Sequence, residues 1–282
     1  MEPELVVTKS YKEIARRDVQ HIKLKPLSGA AKKSIFDAFN KTDFEGEIKL
    51  ERSAMSRLLK DKATDNPEFL VVVINALVFG KRMGQDDGIL SIECNKFLDN
   101  ESIERLYDCI CKDTENDLEL TGEAGECGGG GGGLSRFCCV THTESLPVSL
   151  FYRKALCLLY CSNVGLTSVE LEEALLRRPE FSTLSRDALE AIWLVIKDFA
   201  IQVDGVYVLL NSAIRRTIHR LYIEDEQTKK SYHELLAFYF EQKESSLRTT
   251  EEHPHHLIAL KDFAKLRECV CDVDMLQGRF LS

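Results

Sequence analysis

No apolar run in this chain approaches the roughly 18 residues that a membrane-spanning helix needs. The longest, Phe69 to Phe79, is shorter and contains Asn75. Met1-Glu2-Pro3-Glu4 has neither the basic flank nor the apolar stretch of a secretory leader, so a cytoplasmic location is expected. Positive charge is in deficit: 37 Lys and Arg stand against 46 Asp and Glu, a net charge of -9. A protein that lives on nucleic-acid phosphates needs clustered cations. The densest cluster here, Arg215, Arg216, His219 and Arg220, reads as a solvated helix face. No G-x-x-x-x-G-K-[ST] phosphate loop occurs in the 282 residues. Paired zinc-ligand spacing is also lacking. The close cysteine pairs, Cys109/Cys111, Cys138/Cys139, Cys157/Cys161 and Cys269/Cys271, fall in different predicted elements, which points to reduced thiols rather than a metal site.

What is present is a globular composition, 44% apolar and 29% charged, long enough for about two domains. His21 to Pro26 alternates as a short strand. Ser28 suits the cap of a helix from Gly29 to about Asn40, and a second helix is expected from Glu51 to Lys60. Asp65-Asn66-Pro67 starts another, from Glu68 to Val78, apolar nearly all round and so buried. A helix from Ser91 to Lys112, with a break near Asp99-Asn100, would turn Ile92, Phe97, Leu98, Ile103, Leu106 and Ile110 inward. Thr114 to Thr143, with Gly128 to Gly133 consecutive, reads as a flexible linker, because so many glycines cost too much ordering entropy.

After Pro147 the pattern is compact. Leu150 to Tyr160 is an apolar helix; Thr167 and Glu170 form a capping box for a helix ending at Leu176; Ser185 heads a third. Ile201 to Val208 then reads as a hairpin turning on Asp204-Gly205. Three helices followed by a hairpin is the winged-helix order. Helices are expected next at Ser212–Tyr222, Thr228–Gln242, Pro254–Leu260 and Asp262–Cys271, before an apolar tail, Val273 to Leu281. The fold class is therefore mainly α with one short β-hairpin.

Several stretches together resemble the second half of the nucleotide-binding module of STAND ATPases, of the NACHT type that precedes TPR or WD40 repeats. Ile22 to Leu27 looks like the last core strand and the Pro-Leu that opens the helical domain. Asn66-Pro67-Glu68-Phe69-Leu70, with Leu77-Val78-Phe79-Gly80, looks like the family's N-P-x-(F/L)-L segment. Leu166 to Leu171 resembles its winged-helix G-L-S-x-x-E-L helix, and His253-Pro254-His255-His256-Leu257 with Asp262 to Leu266 resembles the helices leading into the repeats. The resemblance implies this division: 1–27 the end of a nucleotide-binding core, 28–113 a small helical domain, 114–146 the linker, 147–223 the winged helix, 224–282 a second, repeat-like helical segment.

The resemblance also implies site residues. Pro67 would pack near the adenine, with Phe69 and Leu70 beside it, although it equally suits a plain helix start. Asn211 stands where the family often presents a phosphate-sensing His; it can donate a hydrogen bond but carries no imidazolium charge, and a helix cap is its simpler role. No catalytic residue and no metal ligand is expected, and no cofactor for this chain alone. ATP or ADP with magnesium belongs to a full-length parent, whose phosphate loop would precede residue 1. Partners would be that core, the downstream repeats and further copies of the chain. The expected role is a nucleotide-dependent conformational clamp.

Two other classes are weaker. A DNA-reading winged helix would use Ser185 to Asp198, but Arg186 and Lys197 there face Asp187, Glu190 and Asp198 around an apolar middle. A thiol enzyme would need Cys138 or Cys139 with His142, all in or beside the linker. His253, His255 and His256 could chelate a metal, but the resemblance reads them as capping and packing residues.

Overall fold

A computed structural model of the chain describes residues 25–41, 48–82, 85–120, 145–182, 184–244 and 246–271. Residues 21–24 of the strand expected at 21–26, the glycine run, Cys138, Cys139, His142 and the apolar tail lie outside the described residues; Lys25 and Pro26 are not in a strand. The protein is mainly helical with one two-stranded antiparallel sheet. No helix among the described residues is long and apolar enough to cross a membrane.

The first five helices are α1 (Gly29–Lys41), α2 (Arg52–Lys60), α3 (Pro67–Arg82), α4 (Asp87–Leu98) and α5 (Ile103–Leu120). Ser28 Oγ accepts the Ala31 amide at 3.2 Å, as a cap should. Lys32 is buried, its ammonium bonded to the Leu59 and Asp61 carbonyls (3.3 and 2.8 Å) and paired with Asp65 at 2.6 Å. That staple ties α1 to the turn before α3. The α3 helix buries Phe69, Leu70, Val73, Ile74 and Leu77, so its all-round apolarity does mark a core element.

Three expectations need correction here. The break expected near Asp99-Asn100 does separate two helices, Asn100 Nδ2 bonding the Lys96 and Phe97 carbonyls at the end of the first, but that helix starts at Asp87 rather than Ser91, because Asp86 caps it at the Ile89 amide. Ile92 is 70% exposed. It lies two residues from Leu90 and from Cys94, which are buried, and so on the opposite helix face. The linker does not begin at Thr114: α5 continues to Leu120, because Leu106, Ile110, Thr114 and Leu118 repeat every four residues on one buried stripe. At the other end, Ser145 already lies in the next helix.

That helix, α6 (Ser145–Cys161), is followed by α7 (Ser168–Leu176), α8 (Arg186–Ile196), β1 (Ala200–Val203) and β2 (Val206–Leu209). Both halves of the Thr167–Glu170 capping box form. Asp204 and Gly205 take φ of 50° and 85°, the left-handed pair that a two-residue hairpin requires, and Val203 pairs with Val206. Leu166 adds a single bridge to Tyr207. Gly165 before it has φ of 96°, and a Cβ there would lie 2.4 Å from the Tyr207 oxygen, so the bridge depends on glycine. These elements stand in the winged-helix order.

The remaining helices are α9 (Ser212–Tyr222), α10 (Glu226–Glu241), α11 (Leu247–Leu260) and α12 (Phe263–Cys271). Pro254 does not start a helix; it sits inside α11, which Ser246 caps at the Thr249 amide and which begins at Leu247, seven residues before the expected start. The bond that a residue-254 N–H would make to the preceding turn is forfeited. Contacts of neighbouring side chains, described below, hold the helix through it. One apolar core runs from Phe36 to Phe240, with Tyr107 and Tyr152 both packed on Phe199 (ring centroids 6.3 and 6.1 Å). The described elements before and after residues 121–144 therefore share a core through α5, α6 and α9.

Candidate functional site

Pro67 is the first residue of α3 and is exposed, with Phe69 and Leu70 buried behind it. Asn211 caps α9: its Oδ1 accepts the Ile214 amide at 2.9 Å, and its Nδ2 donates to the Tyr107 hydroxyl at 2.8 Å. Burial pushes the Tyr107 phenol up to about 12; the Asn211 bond opposes this and the Glu68 charge adds to it. Glu68 follows Pro67 in the chain. Tyr107 lies 104 positions from Asn211, and no local pattern marks it as the partner. Both ends of the Asn211 amide are engaged within the protein, and its capping role is seen directly.

Asn211→Ala removes a cap, about 1 kcal/mol, and a hydrogen bond of similar worth. A loss of about 2 kcal/mol in chemical denaturation is expected, against about 1 for Tyr107→Phe. The double variant should lose less than the sum; strict additivity would show that the two groups do not interact.

Beside this bond runs a polar seam between α9 and α5. Arg216 pairs with Glu104 and Arg220 with Asp108, while the Thr217 hydroxyl reaches the Glu104 carbonyl at 3.4 Å. The Arg216 guanidinium holds the Glu104 carboxyl below the ordinary range against partial burial. Arg215 bonds the Tyr160 carbonyl at 2.7 Å and lies over its ring, which also meets His219. All four residues of the basic stretch are exposed, as a solvated helix face should be, and they also meet protein groups along one edge.

The would-be recognition helix α8 exposes Arg186, Asp187, Glu190, Leu194 and Lys197. Arg186 pairs with Glu172 and Glu190, and Trp193 donates to Glu172 at 2.7 Å while stacking on Tyr207 at 4.9 Å. The seven described cysteines are free thiols. Burial pushes Cys94, Cys111, Cys157 and Cys161 up to about 12, too high for a thiolate nucleophile at neutral pH.

A second constellation joins α10 to α11. One ring nitrogen from each of His233, His255 and His256 lies within 4.8 Å of the others. His233 Nδ1 is 3.0 Å from His256 Nδ1, both rings being buried. His255 Nε2 is 3.1 Å from the Cys161 carbonyl oxygen. His256 Nε2 faces Glu252 Oε2 at 3.3 Å, off-line for a full hydrogen bond. Glu252 is completely buried, accepting the Asn163 and Val164 amides at 3.0 and 2.8 Å, with Arg248 3.8 Å away. Arg248 itself is bidentate to Glu170, the capping-box residue of α7. Burial pushes the His233 imidazole down to about 4, helped by His256, His255 and Lys229 and opposed by Glu252. Burial also lowers His256, against the Glu252 carboxylate, and His253.

Sequence reading grouped His253 with His255 and His256. Helix geometry and Pro254's position inside α11 send His253 elsewhere, its Nδ1 3.7 Å from Cys269 Sγ, and the third member comes from α10. Compared with protein-family models, curated proteins and solved structures, the chain matches none.

Proposed function

We propose that the chain is the regulatory and oligomerisation part of a cytoplasmic STAND-type signalling ATPase, a conformational clamp that does not itself turn over nucleotide. The observation that carries this reading is the polar seam between α9 and α5. Outside the shared apolar core, the winged helix meets the helical segment through half-exposed ion pairs, Arg216–Glu104 and Arg220–Asp108, and the Asn211–Tyr107 and Thr217–Glu104 hydrogen bonds. Exposed pairs are worth only about 0–1 kcal/mol each, so a bound nucleotide could tip such a latch. Exposed Pro67 offers an apolar contact for the adenine of ATP or ADP held with magnesium by a nucleotide-binding core, and Asn211 acts as part of the latch. The protein partner side is the C-terminal end: Phe238, Ile258, Phe263 and Val270 are 51–65% exposed, and α12 buries none of its residues. The outer face of α8 offers no net positive charge, its Arg186 being paired with Glu172 and Glu190, and this favours protein over DNA as partner.

Native-state hydrogen exchange tests the clamp. Amides of α9 are expected to exchange through a sub-global opening, at lower free energy than those of α6 and α8, and Arg216→Glu should lower it further. Exchange of α9 only by global unfolding would count against a latch. Tight ATP binding, or turnover by the purified chain, would overturn the regulatory reading.

A further inference from the structure

We infer that His233, His255 and His256 form a binding site for one borderline divalent transition cation, Zn2+ being the best fit, with Glu252 and the Cys161 carbonyl as its outer shell. Three imidazole nitrogens suit zinc, copper, nickel or cobalt and not magnesium or calcium, which prefer oxygen. Zn–N bonds of 2.0–2.1 Å at tetrahedral angles put ligand nitrogens roughly 3.3 Å apart. The His233–His256 pair, at 3.0 Å, needs only a slight opening. His255 is half-buried and has the freedom to close the remaining gap from within 4.8 Å.

Hydrogen-bond partners assign the protons. An imidazole nitrogen against a carbonyl oxygen must donate, so His255 carries its proton on Nε2 and keeps Nδ1 bare. His256 likewise turns Nε2–H toward the Glu252 carboxylate and leaves Nδ1 as a lone pair aimed at His233. When a cation enters, His233 moves its proton from Nδ1 to Nε2, and no net proton is released. Carboxylate and carbonyl acceptors behind the ring N–H groups are the outer-shell arrangement that orients metal-bound histidines. The charge balance agrees. Arg248 is bidentate to Glu170 and meets Glu252 only at 3.8 Å, so two carboxylates share one guanidinium and the buried Glu252 adds negative charge for the cation, with Lys229 the opposing charge near His233. The imidazoles lowered by burial are uncharged at neutral pH, as ligands must be. Three protein ligands leave a fourth position for water or another donor.

Such a cation would pin α10 to α11. Through Cys161, Asn163 and Val164 it would also pin both to the end of α6 and the turn after it, stiffening the join between the winged helix and the last helices.

Cobalt spectroscopy on the reduced, chelator-treated full chain is the test. One equivalent of Co2+ should give visible d–d absorption without thiolate-to-cobalt charge transfer, and Zn2+ should displace it and raise Tm. His255→Ala, at a half-buried ring, should weaken Zn2+ by at least ~100-fold, and Glu252→Gln by about 10-fold; His253→Ala should change nothing. Absence of saturable uptake by the parent chain, thiolate charge transfer, or equal affinity in His255→Ala would each overturn the site. Should either variant lose its far-UV circular dichroism, the parent spectrum decides alone.

Discussion

Glu252→Ala is expected to cost about 3–5 kcal/mol of folding stability, the range found when one partner of a buried charged network is removed. Glu252 has no exposed surface and serves four groups: the Asn163 and Val164 amides, His256 and Arg248. Alanine leaves two backbone donors and a ring nitrogen facing a cavity. Those amides belong to the turn that leads into Gly165 and the Leu166–Tyr207 bridge, so the loss should reach the sheet. Trp193, the single tryptophan, stacks on Tyr207 and reports on that region by fluorescence. Urea midpoints at constant m-value give the number. Glu251→Ala, next in the chain and less buried, should lose about 0.5 kcal/mol or less. A Glu252→Ala loss below about 1 kcal/mol would mean that the network holds nothing together.

Acid should destabilise the metal-free chain in two limbs, the first between pH 6.5 and 4. Over that range the unfolded chain protonates His233, while the folded chain, with this imidazole pushed down to about 4, does not. The unfolded state then binds more protons, so stability falls as pH falls. After allowance for solvent screening, His233 alone should contribute about 2 kcal/mol by pH 4. His253 and His256, also lowered by burial, act in the same direction. The second limb belongs to Glu252. Burial raises its carboxyl, but His256 and the Asn163 and Val164 amides outweigh this and hold it below the ordinary value. Its stabilisation is present above about pH 4.3 and is lost as pH drops through the lower folded value. Glu104, Glu173, Glu180 and Asp87, held down by Arg216, Lys243, Lys154 and Lys81, join that limb. His233→Gln should flatten the first limb and leave the second. Denaturation midpoints unchanged from pH 7 to pH 5 would refute the assignment.

Short-range devices were legible in the residues alone. Ser28, Thr167 with Glu170, Ser185 and Asn211 cap the helices they were read to cap, and Asp204-Gly205 turns the hairpin. Each is a contact between groups two or three positions apart, so the sequence contains both partners in one glance. Errors arose where local signals were ambiguous. The polar residues of the last turns of α5 hid a buried four-residue stripe, and Pro254 looked like a helix start although Ser246 had already capped the helix.

By itself, then, the amino-acid order determined the mainly helical class, most of the helix starts and the hairpin, because those follow from capping, periodicity and turn stereochemistry within a few residues. Tertiary structure alone decided which groups meet. Tyr107 reaches Asn211 across 104 positions, His233 reaches His256 across 23, and Asn163 reaches Glu252 across 89. Burial of apolar helix faces brings these pairs together. The energy of that burial is spread over the whole core, so no short stretch of residues names the partner.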